Sequence, residues 1–410
     1  LSGVVVTGLG TLGAAGVGRE ALAGLLASGQ PRSSEVDRSA GYHRRGGARR
    51  AALAGRLDLE ALVPASLARR MSAPSRFAVA AARLALADAR LSEDDLGFAD
   101  TAVVMATAFG PAAFTEQLLD AILHRGPQEA SPALFTESVA SAAASQVALF
   151  CRALGPNLTV TQREAGPLLA LGEGALLVRR GQARRALVGA VEEMTPLLHA
   201  ILDRFRAVAR ADASGRELPR PFGRRRDGFL AAEGATVLVL EGEGAAAERG
   251  AAPLARVTAS WSAFDPSASA IDWGGGAEEL GSELRAGLQR AGCPPAAVGQ
   301  IVSGASGAVS GDRLEARTLR AAWGSDPLPP VVVPKGATGE YGGGFLGAAV
   351  LAAAGAPLAL PAGGDEPDPD LGVEPRASPE PPPRLTLATS LAAGGAAAWV
   401  LLERAGSPRS

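Results

Sequence analysis

Reactive side chains are scarce in this 410-residue chain: it has two cysteines, three histidines and a single lysine, Lys335. Two thiols give neither a disulfide framework nor a metal cluster, and such usage fits a reducing cytoplasm. No spacing of His, Cys and carboxylates marks a metal site, so neither metal nor cofactor is expected. Aromatics are 4% and the net charge is -2, which leaves no basic field or stacking platform for nucleic acid or an anionic membrane surface. No basic stretch followed by an apolar run marks a signal peptide. The longest apolar stretch, 347–356, is too short to cross a bilayer.

What the chain does have is bulk apolar content. It is 47% hydrophobic and 20% charged, enough for a large core and too apolar for a mainly disordered chain. Arginine is the default cation. A lone lysine therefore marks position 335 as one that needs a compact ammonium.

The run from Gly3 to Thr7 reads as a strand ended by Gly8 and Gly10. Residues 75–89 read as a helix capped by Ser75, with an apolar stripe through Phe77, Ala80, Leu84 and Ala87. Residues 101–107 form a short, wholly apolar run, as in a buried parallel strand. Helices fit 112–124, 138–154 and 167–180, and strands fit 157–161, 186–192 and 235–241. After residue 250 the order begins again. Strands fit 255–260, 300–303 and 331–334, helices fit 278–291, 312–322 and 345–354, and strands 385–389 and 397–403 close the chain. The expected class is α/β with two similar halves, 1–250 and 251–410. Gly8-x-Gly10 after a strand lacks the rest of a dinucleotide fingerprint.

Several blocks, in order, resemble β-ketoacyl-ACP synthases. They are VVVTGLGTLG from Val4, SRFAVAAARLALADARL from Ser75, SPALFTESVASAAASQVAL from Ser131, GPNLTV from Gly155 and ALVGAVEEMTP from Ala186. RPFGRRRDGFLAAEGATVLVLE from Arg220, GDRLEARTL from Gly311 and PKGATGE from Pro334 follow. The resemblance implies the thiolase fold, with two pseudo-symmetric halves in five alternating α and β layers. It also implies a dimer formed by pairing the strand beside the nucleophile loop, here Asn157, Leu158, Thr159, Val160 and Thr161.

Three positions depart from the chemistry of that family. Condensation needs a thiolate at a strand-to-helix elbow and two histidines that support decarboxylation and the enolate. Where the family reads T-A-C-A-S-G, this chain reads Gln162-Arg163-Glu164-Ala165-Gly166-Pro167, with Glu164 at the cysteine position. The first histidine position is Gly304, counted back from Asp312, and the second is Glu340, after Thr338-Gly339. Neither replacement offers a side-chain N–H to an enolate. The gate G-F-G-G reads Ala392-Ala393-Gly394-Gly395, so Ala393 replaces the aromatic. The framework persists: Lys335 and Glu315 stand where active members place an internal Lys–Glu pair. Asp227, Glu233 and Asp312 are also in register, and all are read as ion pairs supporting loops. Cys151 and Cys293 read as core and helix-end residues. His43, His124 and His199 fall outside every motif and read as loop or helix-face residues.

The resemblance implies a chain-length-factor-like subunit, because such homologues carry Gln in a Q-A-G-G context at the elbow. Its partner would be an active ketosynthase, in a cytoplasmic heterodimer that elongates chains on acyl carrier protein. This chain would wall part of the acyl tunnel, with Phe109, Ala112, Ala113, Phe114 and Phe135 as candidate lining, and products such as aromatic polyketides or aryl polyenes. The alternatives are a self-sufficient β-ketoacyl-ACP synthase or malonyl-ACP decarboxylase with unusual residues, and a non-catalytic protein sequestering acyl chains or acyl carrier protein. Arg204, Arg206, Arg210, Arg224, Arg225 and Arg226 form either a surface for that acidic carrier or a solvated loop.

Overall fold

In the computed structural model, residues 3–92, 100–364 and 366–406 are described. Ten strands carry the architecture. They are β1 (Val4–Gly13), β2 (Thr101–Ala106), β3 (Asn157–Val160), β4 (Arg185–Glu192) and β5 (Gly234–Gly242), then β6 (Ala255–Phe264), β7 (Gln300–Ser303), β8 (Val331–Val332), β9 (Leu385–Leu391) and β10 (Ala396–Arg404). Their order across the sheet is β8-β7-β9-β10-β6-β1-β5-β4-β2-β3. A two-residue strand, Gly16–Val17, pairs back on β1.

The order is palindromic about β6 and β1, which pair antiparallel through Val4–Val6 and Ala255–Val257. Moving outward in the first half, β1/β5 and β5/β4 are antiparallel, while β4/β2 and β2/β3 are parallel. In the second half β6/β10 and β10/β9 are antiparallel, while β9/β7 and β7/β8 are parallel. Each strand of one half thus has a counterpart of the same sense and chain order in the other.

Two helices, Gly166–Arg179 and Gly342–Ala354, follow the counterpart strands β3 and β8. They pack on each other and on strands of both halves. Helices that are apolar on nearly every side belong in a central layer, and most of their residues are buried. Helices Ala73–Asp88 and Ala142–Phe150 cover the outer face of the first half. Ala277–Arg290 and Val309–Trp323 cover the outer face of the second. The result is five layers, αβαβα, with the main core between the half-sheets.

Three local expectations are corrected. First, β1 does not end at Gly8 but runs to Gly13. A Cβ at Gly8 or Gly10 would lie 2.3 or 2.1 Å from the carbonyl oxygens of Ala85 and Ala81. These glycines let helix Ala73–Asp88 lie directly on the strand instead of breaking it. Second, Ser72, not Ser75, caps that helix, accepting from the Ser75 N–H. Its buried face runs through Ala78, Val79, Ala81, Ala82, Ala85 and Leu86 as well as the expected Ala80, whereas Ala87 is exposed. Third, the helix expected over 138–154 is shorter, Ala142–Phe150, and follows a separate helix, Pro132–Ser138, at a bend of 97°. Among the described residues no single helix is long and apolar enough to cross a membrane.

Candidate functional site: a glutamate at a strand-to-helix elbow

Strand β3 leads through Thr161 and Gln162 into a single 3-10 turn, Arg163–Ala165, and then into helix Gly166–Arg179. Arg163 takes a left-handed φ of 42°. A non-glycine residue adopts that only where the chain must turn sharply. Pro167 stands in the first helical turn, where a missing N–H costs nothing. Glu164 is thereby presented at a helix N-terminus, where a carboxylate is electrostatically favoured.

The Oε2 of Glu164 is buried with no hydrogen-bond partner among the described residues. Burial, and next the neighbouring charge of Glu340, push its pKa up to about 7, with Lys335 opposing. Such a group is a weak acyl acceptor and is no thiolate.

Ser390 ties the elbow to the second half. Its hydroxyl donates to the Glu164 carbonyl oxygen at 2.7 Å. Gly304 lies against the same residue, since a Cβ there would be 2.7 Å from Ser390 Oγ and 3.0 Å from both Ser390 Cα and the Thr389 carbonyl oxygen. The Gly304 N–H donates to that carbonyl at 2.7 Å and to Glu315 Oε1 at 3.2 Å. The space a histidine side chain would leave through is filled.

Glu340 is drawn the other way. It receives the Lys335 ammonium at 2.8 Å on Oε1 and 2.9 Å on Oε2. The lysine side chain is 1% exposed, and its Nζ also stands 5.1 Å from the centre of the Phe345 ring. The expected Lys335–Glu315 pair is therefore corrected: the carboxylate at 340 takes the ammonium. Glu315 instead accepts from the Ser303 hydroxyl at 2.6 Å and from the Gly304 N–H. Burial pushes the Glu315 pKa up to about 8, opposed by the Ser303 hydrogen bond and then by Lys335 at longer range.

The other framework acids are acceptors for backbone N–H groups and not the ion pairs anticipated. Asp312 takes the N–H of Phe222, Ser306 and Gly307. Glu233 takes those of Ala54 and Met194, and Asp227 that of Arg210. A buried loop has unpaired amides, and one carboxylate satisfies several.

Glu164, Glu340 and Ala393 line one cavity of about 590 Å³, with Asp227 and Phe109. Gly304 stands behind Ser390, outside the lining. Ala112, Ala113 and Phe114 lie on or beside the first turns of helix Ala112–Arg125, and Phe135 on Pro132–Ser138, outside this cavity. Asn157 to Val160 form the outermost strand of their half-sheet, paired on one side alone, while Thr161 lies just beyond it. Cys151 and Cys293 are buried.

Sequence reasoning missed Glu192, which also lines the cavity and accepts from the Thr107 hydroxyl and the N–H groups of Ala108 and Phe109. Burial raises its pKa to about 8. The available signal was an acidic pair, Glu192-Glu193, ending an apolar strand. His199 lies on helix Pro196–Arg204, on the helix's buried face, hydrogen-bonded to His43 at 3.1 Å and to the Arg50 carbonyl.

The family model of the β-ketoacyl synthase N-terminal domain matches residues 2–246, more than half of the chain. The chain belongs to the β-ketoacyl synthase family. Among its relatives, this synthase homologue is 33% identical to a polyketide beta-ketoacyl synthase 2 of Streptomyces halstedii, over 87% of this chain and 84% of the relative. It is 26% identical to the 3-oxoacyl-[acyl-carrier-protein] synthase 2 of Vibrio cholerae, over 84% and 83%. The solved ishigamide ketosynthase/chain length factor matches it with a TM-score of 0.86 at 27% identity, covering 99% of this chain and all of that one. The five-layered α/β architecture is thus the thiolase fold.

Proposed function

We propose that this β-ketoacyl synthase homologue is a chain length factor: the non-condensing subunit of a type II polyketide or related synthase. It pairs with an active ketosynthase in the cytoplasm and shapes the acyl tunnel while the chain grows on acyl carrier protein. The observation that carries this reading is the elbow. A glutamate replaces the nucleophile, both histidine positions lack an imidazole, and Ser390 closes the first of them. The names of the Streptomyces relative and of the ishigamide ketosynthase/chain length factor support it. The name of the Vibrio relative supports the acyl-carrier-protein link.

The surface supports pairing. Leu158 on the edge strand and Phe135, Leu149 and Leu154 in the preceding stretch of the chain are exposed apolar residues. Apolar side chains grouped beside an unpaired edge call for a partner. In the pair, Phe109, Ala112, Ala113, Phe114 and Phe135 are the candidate tunnel wall, where small Ala112 and Ala113 leave depth. The gate position Ala393 has no acyl transfer to control.

Co-expression with an intact ketosynthase tests the reading. The two chains are expected to purify as a one-to-one complex, and Ala112→Phe or Ala113→Phe to shorten its products. Separate elution of the chains, or unchanged product length in both variants, counts against it. The alternatives, a self-sufficient synthase or a malonyl-ACP decarboxylase, need an imidazole that positions 304 and 340 do not supply.

A further inference from the structure

The cavity beside the elbow carries more acid than base. Glu164, Glu192, Asp227, Asp272 and Glu340 line it, against Arg163 and Arg206. Glu340 is already matched by Lys335, and Glu192 is held by Thr107 and two backbone N–H groups. Glu164 differs, because its buried Oε2 finds no donor among the described residues. A buried carboxyl without a donor is unfavourable unless something entering the site supplies one. The neighbouring wall is apolar, through Pro167, Leu198, Leu202, Phe229 and Tyr341. Toward solvent, Ile201, Phe205, Ile271 and Val309 belong to the same lining and are exposed.

We propose that this cavity binds an amphiphile with an apolar body and a primary ammonium, the ammonium at Glu164 and the body running toward Phe205 and Ile271. An ammonium brings three N–H donors and the opposite charge. A ligand carboxylate would instead face Glu164 and Glu340. The cavity volume of about 590 Å³ is in the range of small-molecule sites, roughly 300–1,000 Å³. The site lies within this one chain, so the inference does not depend on pairing with a ketosynthase.

The charged groups acting on Glu164 are Glu340, Lys335 and Arg163, with Glu192, Asp227, Asp272 and Arg206 on the rest of the wall. Calorimetric titration of the full chain with octylamine, octanol and octanoate tests the assignment. At pH 8 octylamine is expected to bind about tenfold more tightly than octanol, with octanoate weakest. Its affinity falls about tenfold from pH 8 to pH 6, as Glu164, with a pKa of about 7, takes up its proton while the amine stays charged. Glu164→Gln is expected to remove the preference for amine over alcohol and its pH dependence. Octanoate binding as tightly as octylamine would overturn the proposal and make the arginines the anchor. Failure of octylamine to bind the unaltered chain would overturn it as well. Should the variant not fold, the pH series on the unaltered chain decides.

Discussion

Lys335 holds Glu340 at 2.8 Å with 1% of its own side chain exposed, so the only lysine of the chain is committed to the residue proposed to replace a catalytic histidine. Removing one partner of a buried pair leaves an uncompensated charge, at a cost of about 3–5 kcal/mol. Glu340→Gln and Lys335→Met are each expected to lower stability on that scale in denaturant unfolding. The double variant should lose less than the two single losses added together. Strict additivity would mean that the pair does not couple.

Gly304 leads to the expectation that restoring the family's residues does not restore condensation. A methyl group at 304 meets Ser390 Oγ at 2.7 Å and two backbone atoms at 3.0 Å. Overpacking of this kind costs typically 1–3 kcal/mol, so Gly304→Ala is expected to destabilise by about 2 kcal/mol in the same unfolding assay. The triple variant Glu164→Cys, Gly304→His, Glu340→His is expected to form no condensation product with acyl- and malonyl-carrier protein. Turnover in that triple variant would show that the loop opens readily.

Ionisation gives a third expectation. Glu192 and Glu315 have folded pKa values of about 8, and Glu164 and Glu193 of about 7, in each case raised first by burial. A carboxyl whose folded pKa lies above its unfolded value, near 4.5, stabilises the fold fully below that lower value. The contribution is lost as pH rises through the folded pKa. Between these limits each group costs about 1.4 kcal/mol per pH unit. Stability should therefore fall from pH 6 to pH 8.5, and Glu192→Gln should flatten that slope. A melting temperature that rises over this range would contradict it.

The edge strand gives a fourth. Leu158→Lys places a charge beside the free edge formed by Asn157–Val160. Charged edges resist strand addition. Size-exclusion chromatography should show loss of the complex with a ketosynthase while the chain itself stays folded. An intact complex would move the interface elsewhere.

Much of this was legible in the sequence because periodicity and motif spacing are local. Strand β7 and the repeated order of elements followed from short apolar runs between turn residues. What stayed hidden depends on contacts distant in sequence. Nothing near Gly8 announces that helix Ala73–Asp88 presses on it, and nothing near Lys335 tells whether Glu315 or Glu340 takes its ammonium. The substituted positions were found by alignment to motifs. The closing of position 304 by Ser390 needed the packing of the two halves.

Intact-protein mass spectrometry after incubation with acyl-carrier protein is the most direct test of the central claim, that this elbow carries no acyl chain. With the purified pair, the acyl mass should appear on the ketosynthase subunit and be absent from this chain. An acyl adduct on this chain, purified without any partner and mapped to the Glu164 peptide, would contradict the account.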